Sequence, residues 1–128
     1  MNLLLDTHVY LWMRGDSSRL PESFRKAMVD PKNMCYFSSI SAAEIAVKKS
    51  IGKLATSASV LTEVEHLGLY ELSFTNDHAR ELENLPLIHR DPFDRMLIAQ
   101  ARVEAMVLLS VDPFVRSYDV ETIPLVTR

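Results

Sequence analysis

Four short apolar runs alternate with helical patterns along this chain, and that alternation limits the fold more than any other feature. Leu3-Leu4-Leu5 reads as a short, fully buried strand, followed by a helical turn or two from His8 to Met13. Pro21 opens a helix with Phe24, Ala27 and Met28 at helical spacing, ending near Asp30-Pro31. Met34 to Phe37 is a second buried strand. Ser41 is expected to cap the next helix, with Ala42, Ile45 and Ala46 facing inward and Gly52 closing it. A further helix is expected from about Ser59 to Leu67, then a third strand from Leu69 to Phe74, and then a helix capped by Thr75. The most hydrophobic helix runs from Phe93 to about Ala105, the fourth strand is Val107-Leu108-Leu109, and Glu121 to Ile123 is a candidate fifth. Strands alternating with helices predict an α/β fold of four or five mainly parallel strands.

The chain has 128 residues, expected to form one domain over 1–128 with no linker or repeat. Its hydrophobic fraction of 48% fits a globular protein. The single cysteine, Cys35, sits in the apolar Met34–Phe37 run and is expected to be a buried core thiol. No signal-peptide pattern opens the chain and no run nears the roughly 20 apolar residues that cross a bilayer, so a cytoplasmic protein away from membranes is expected. The net charge of −3 lacks the basic footprint of a dedicated nucleic-acid binder, so contact with nucleic acid must be local.

Chemistry is suggested by where the acids fall. Asp6, Glu44, Asp94 and Asp112 each stand where a strand stops or a helix starts. In a parallel sheet those points share one edge, the edge at which ligands bind. At about 5 Å and an effective dielectric near 20, each carboxylate pair would repel by about 3 kcal/mol, and a divalent cation is the natural counter-charge. Each acid also has an ordinary reading. Asp6, Asp91 and Asp112 suit helix N-caps, the last two with Pro92 and Pro113 at N1. Glu44, read as lying in the first turn of its helix with Lys48 at i+4, suits a solvated surface acid. Capping explains Asp94 least well. Rival chemistries lack their motifs. The three glycines make no phosphate-binding or dinucleotide loop, and His8, His66, His78 and His89 are too scattered for zinc and read as structural or surface residues.

Four segments together resemble the PIN-domain family, and in particular the VapC-type toxin ribonucleases. They are Leu3-Leu4-Leu5-Asp6-Thr7-His8, then Ser41-Ala42-Ala43-Glu44-Ile45-Ala46 with Lys48 and Gly52-Lys53-Leu54, then His89-Arg90-Asp91-Pro92-Phe93-Asp94-Arg95-Met96-Leu97-Ile98-Ala99-Gln100-Ala101, and finally Ser110-Val111-Asp112. The third is the most specific. Ala43 and Ser110 stand where the family often has Trp and Thr. The resemblance implies a PIN-like three-layer fold. It also implies Mg²⁺- or Mn²⁺-dependent endonucleolytic cleavage of RNA leaving a 5′-phosphate, with Asp6, Glu44, Asp94 and Asp112 as the catalytic and metal-binding acids. Asp91, Thr7 and Ser110 would support them, Ser110 through a hydrogen bond to Asp6 or a water. Lys48, Arg90 and Arg95 are candidates for RNA phosphates, with Lys49 and Lys53 nearby. A homodimer and a cognate VapB-type antitoxin are implied as well. Tyr10, Trp12, Met13, Phe24 and Met28 are candidates for an interface, with core packing the preferred reading for most of them. The competing readings are a catalytically silent PIN-like RNA-binding or scaffold module and, more distantly, a phosphoacceptor receiver domain.

Overall fold

The computed structural model describes residues 1–54 and 63–125. Four strands, β1 (Asn2–Leu5), β2 (Met34–Ser38), β3 (Tyr70–Leu72) and β4 (Val107–Leu109), form a wholly parallel sheet in the order β3-β2-β1-β4. The helices are α1 (Thr7–Gly15), α2 (Glu22–Val29), α3 (Ser39–Ser50), α4 (Asn76–Asn84), α5 (Pro92–Glu104) and the single turn α6 (Pro113–Arg116). Central β1 is buried on both faces, which is why it reads as an unbroken leucine run. Its register pairs Leu5 with Phe37 on one side and with Leu109 on the other.

Alternate strand residues feed two cores, as the pleat requires. Leu3, Leu5, Val107 and Leu109 pack with Val9, Tyr10, Phe24, Phe37 and Ile45 on one face. Leu4 and Leu108 pack with Leu97, Ile98, Ala101, Val115 and Tyr118 on the other. The result is three layers, with α1 and α2 on one side and α5 and α6 on the other. The α3 helix spans both cores, giving Ile40 to one and Ile45 to the other. Tyr10 and Phe24 are thus core residues, whereas Trp12, Met13 and Met28 are only half-buried.

Several expectations change. The cap of α3 is Ser38, whose hydroxyl accepts from Ile40 N–H at 3.0 Å and bonds the buried Gln100 of α5. The expected cap, Ser41, is buried inside the helix, and Ala46 is exposed. A strand that ends in its own capping hydroxyl leaves no room for a connecting loop, so the helix begins three residues earlier than Ser41 implies. Glu121–Ile123 forms no fifth strand, although Leu108 N–H donates to Glu121 C=O at 2.9 Å. Cys35 is half-buried, with burial raising its thiol pKa. Of the helix expected over 59–67, residues 59–62 lie outside the described residues, and 63–67 form a turn and a 3₁₀ turn, Glu65–Leu67, rather than an α-helix.

The α4 start combines Thr75 and His78 in a reciprocal capping box, and buried His78 also contacts Glu104 at 2.8 Å. Helix α5 starts on Asp91, whose carboxylate accepts from Phe93 and Asp94 N–H at 2.9 and 3.2 Å. It ends on Ala105, a non-glycine residue at φ 54, with Met106 N–H reaching back to Ala101 C=O. A left-handed alanine is strained where glycine is not. Ala105→Gly should therefore raise stability by about 0.5–1 kcal/mol in urea melts.

Candidate active site

The four acids arrive at the C-terminal edge of the sheet by four routes. Asp6 directly follows β1 and caps α1, accepting from Val9 N–H at 2.8 Å. Glu44 lies in the second turn of α3. Asp94 is in the first turn of α5. Asp112 follows β4 by three residues and caps α6, accepting from Phe114 N–H at 2.8 Å. Capping and clustering are therefore compatible, because each cap leaves one carboxylate oxygen uncommitted to the helix.

Glu44 departs most from its surface reading. It is 2% exposed, and its carboxylate accepts from the Thr7 hydroxyl at 2.7 Å and from Lys48 Nζ at 2.6 Å. Thr7 Oγ1 also lies 2.9 Å from Ser41 Oγ. Starting α3 at Ser39 moves Glu44 a turn deeper than the sequence suggests. Its neighbours are then α1 and Asp6 rather than water. Hydrogen bonding to Glu44 raises the Lys48 pKa, reinforced by the nearby negative charges of Asp91 and Asp94.

Asp6 is 4% exposed, and burial raises its pKa while a hydrogen bond from Ser110 and the Val9 amide oppose that shift. Ser110, itself fully buried, also accepts from Asp112 N–H at 3.2 Å, so one hydroxyl ties two of the acids together. Asp94 is raised to about 6, first by burial, with Asp91, Asp6 and Glu44 adding repulsion against a compensating bond from His89. These mutual effects show that Asp6, Glu44 and Asp94 share one electrostatic environment.

His89 completes the cluster. Its Nε2 lies 2.9 Å from Asp94 Oδ2 and 3.9 Å from Asp112 Oδ2, and the three side chains can present ligand atoms all within 4.8 Å of one another. The loop carrying it is fixed by the buried Tyr118 hydroxyl, which accepts from Ile88 and His89 N–H at 3.1 and 2.8 Å. The imidazole stacks on Phe114 at 5.3 Å and 8°. The expectation that all four histidines are structural or surface residues did not anticipate that His89 stands among the acids. Its position five residues before Asp94, in the most specific segment, was the available signal. Tyr118 left no signal, because its hydroxyl reaches the loop only through the fold.

The cationic candidates divide. Lys48 sits over the acids. Arg90 is exposed and lines a shallow cleft with Leu82, Leu87, Pro92 and Arg95. Arg95 is turned away, donating to Pro86 C=O at 2.9 Å, Tyr118 Oη at 3.1 Å and Leu85 C=O at 3.5 Å. Lys53 lies in the exposed turn after α3.

Residues 3–120 match the PIN domain family. The chain belongs to the PIN domain family. That family is one of nucleases, enzymes that hydrolyse phosphodiester bonds. Solved structures with the same fold include VapBC2 of Rickettsia felis bound to a promoter DNA fragment, with a TM-score of 0.73 and 14% identity over 96% of this chain and 98% of the other. DNA-bound VapBC of Salmonella typhimurium gives 0.68 and 17% over 96% and 97%. FitAcB of Neisseria gonorrhoeae gives 0.55 and 19% over 95% and 96%. No curated protein matches the sequence. Among the described residues of this PIN domain, no helix is long and apolar enough to cross a membrane.

The donor set of carboxylate oxygens with one imidazole suits a hard or borderline divalent cation. The raised pKa of Asp94 fits as well, since a half-buried carboxylate among three others is costly to ionise without a positive charge. Because the folded protein holds the Asp94 proton up to about pH 6 and the unfolded chain only to about pH 4, this group's contribution is complete below pH 4 and is lost as pH rises through 6. Asp94→Asn should stabilise the metal-free protein by about 1–3 kcal/mol near pH 7.5 and by almost nothing near pH 4. Thermal melts at both pH values check this.

Proposed function

We propose that this PIN domain is a metal-dependent endoribonuclease, the toxin of a toxin–antitoxin pair. The observation that carries the proposal is the convergence of Asp6, Glu44, Asp94 and Asp112, from four separate segments, on one edge of the sheet beside His89. A silent binding module has no need to sustain that charge density.

Asp6, Asp94 and Asp112 would hold Mg²⁺ or Mn²⁺, with Glu44 as a further ligand or as the base that orients the attacking water. When bound, the ion would supply a Lewis acid that neutralises charge on the phosphate and makes water a better nucleophile. The chain's own residues set the geometry. Thr7 and Lys48 grip both oxygens of Glu44, leaving its remaining lone pairs directed from a fixed carboxylate. Ser110 orients Asp6, and His89 holds Asp94 close to Asp112. Asp91 supports the site by fixing the first turn of α5.

Lys48, which bonds Glu44, and the exposed Arg90, next in sequence to Asp91, would meet RNA phosphates. Arg95 is better suited to holding the 85–89 loop, so its effect on RNA would pass through His89. The similar structures named VapBC support a VapB-type antitoxin as protein partner, and a cytoplasmic setting is part of the same proposal. A homodimer is likewise part of the proposal. An antitoxin would silence the site most directly by offering a basic side chain to the acids.

Incubation with total RNA and Mg²⁺ or Mn²⁺ should give fragments with 5′-phosphate ends, lost on chelation and reduced at least about a hundredfold in Asp94→Asn. Fragments ending in 2′,3′-cyclic phosphate would sink the mechanism, since the RNA's own 2′-hydroxyl would then be the nucleophile. Mn²⁺ titrated calorimetrically into the metal-stripped protein should bind saturably, and binding should be lost in Asp94→Asn. Arg90→Ala should weaken RNA binding and lower its log–log salt slope by about 1.

A further inference from the structure

A cavity of about 530 Å³ opens beside the acid cluster, within the usual range of small-ligand sites. Asp6 and Asp112 line it together with Val111 and Pro113, and His8, Trp12, Arg19 and Phe114 bring four further side chains. Three of these four are aromatic rings and the fourth is a guanidinium. Phe114 is 55% exposed although large and apolar, and one of its faces is already backed by His89. Arg19 is exposed, lies 5.1 Å from the Trp12 ring centroid, and makes no ion pair among the described residues. His8 stands 6.1 Å from the same indole, tilted at 42°.

We propose that this cavity takes one unpaired nucleobase of the RNA, stacked on Phe114, with Arg19 bound to the phosphate next to it. The inference rests on the nuclease reading above and adds a base-binding subsite to it. Its chemistry follows from the walls. Two carboxylates repel a phosphate but accept hydrogen bonds from a base's amino and ring N–H groups. Exposed aromatic faces and a guanidinium plane stack on any base, because every base has a π-face. Since Asp6 and Asp112 belong both to the cavity and to the acid cluster, a base held here is joined to a phosphate at or next to the reacting one. Half-buried His89, stacked behind Phe114 and held by Asp94, stiffens the platform, which limits the entropy lost on stacking. A base that must enter a cavity requires single-stranded RNA, since a paired base is stacked between its neighbours.

The test uses short fluorescent single-stranded RNAs, each with one abasic nucleotide at a different position, and the Asp94→Asn protein in Mg²⁺ so that nothing is cut. One abasic position should weaken binding by about fivefold to a hundredfold, the range of a lost base–aromatic stack. Adding Phe114→Ala should abolish that penalty, and Phe114→Tyr should retain it. Arg19→Ala should lower affinity and the salt slope while leaving the abasic penalty in place. Both side chains are exposed, and thermal melts establish that the variants are folded. The abasic series on the unaltered cavity reads the proposal even if one is not.

If wild type cleaves RNA but no abasic position matters, or Phe114→Ala leaves the penalty unchanged, the subsite is overturned and the nuclease stands. If Phe114→Ala instead releases inhibition by the antitoxin with the abasic penalty intact, the cavity belongs to a protein partner and the subsite is again overturned. If the wild type neither binds nor cleaves any RNA offered, both readings fall.

Discussion

Mutual repulsion among carboxylates at the C-terminal edge of the sheet is the constraint around which this PIN domain is arranged. Folding places Asp6, Glu44 and Asp94 where each feels the others' charge, and it buries them enough to weaken the screening that water would give. Such a cluster survives in a stable fold because the surrounding structure answers it locally. Lys48 and the Thr7 hydroxyl face Glu44, Ser110 and the Val9 amide face Asp6, and His89 faces Asp94. The helix starts contribute as well, since Asp6, Asp91 and Asp112 each accept backbone N–H groups that a helix leaves unpaired.

These local answers offset the charge only in part, as the raised pKa of Asp94 indicates. A bound cation, a protonated carboxyl or a basic side chain from a partner would each relieve what remains. This single electrostatic fact joins catalysis and inhibition in the proposed function. In that proposal, the site that would need a metal to work is also the site to which a basic antitoxin residue would be drawn.

Positioning depends on groups well away from the acids. The Tyr118 hydroxyl and the Arg95 guanidinium both hold the 85–89 loop, and through it His89. Ser38 links the start of α3 to Gln100 in α5, so the helices bearing Glu44 and Asp94 are joined across the core at the same edge. Phe114 follows Asp112 by two residues, and its ring backs His89, which couples the aromatic cavity to the acid cluster.

Much of this was legible in the sequence. The leucine run of β1, the Val-Leu-Leu of β4 and the Pro-marked starts of α5 and α6 determined the strand–helix alternation, because apolar periodicity and proline act through local geometry. Alternation in turn implied a common edge, and so the meeting of Asp6, Asp94 and Asp112. What local signals could not decide was depth and partnership. Ser38, Ser39 and Ser41 share one short stretch, and Ser38, bonded to Gln100, caps α3 in place of the expected Ser41, which carries Glu44 from the surface into the interior. His89 looked like any loop histidine until Tyr118, 29 residues away, fixed its loop. The sequence by itself determined which side chains were chemically capable and which edge they would share. Tertiary structure alone decided which were buried, which were paired, and which aromatic rings stood beside them, because burial and pairing are set by neighbours distant along the chain.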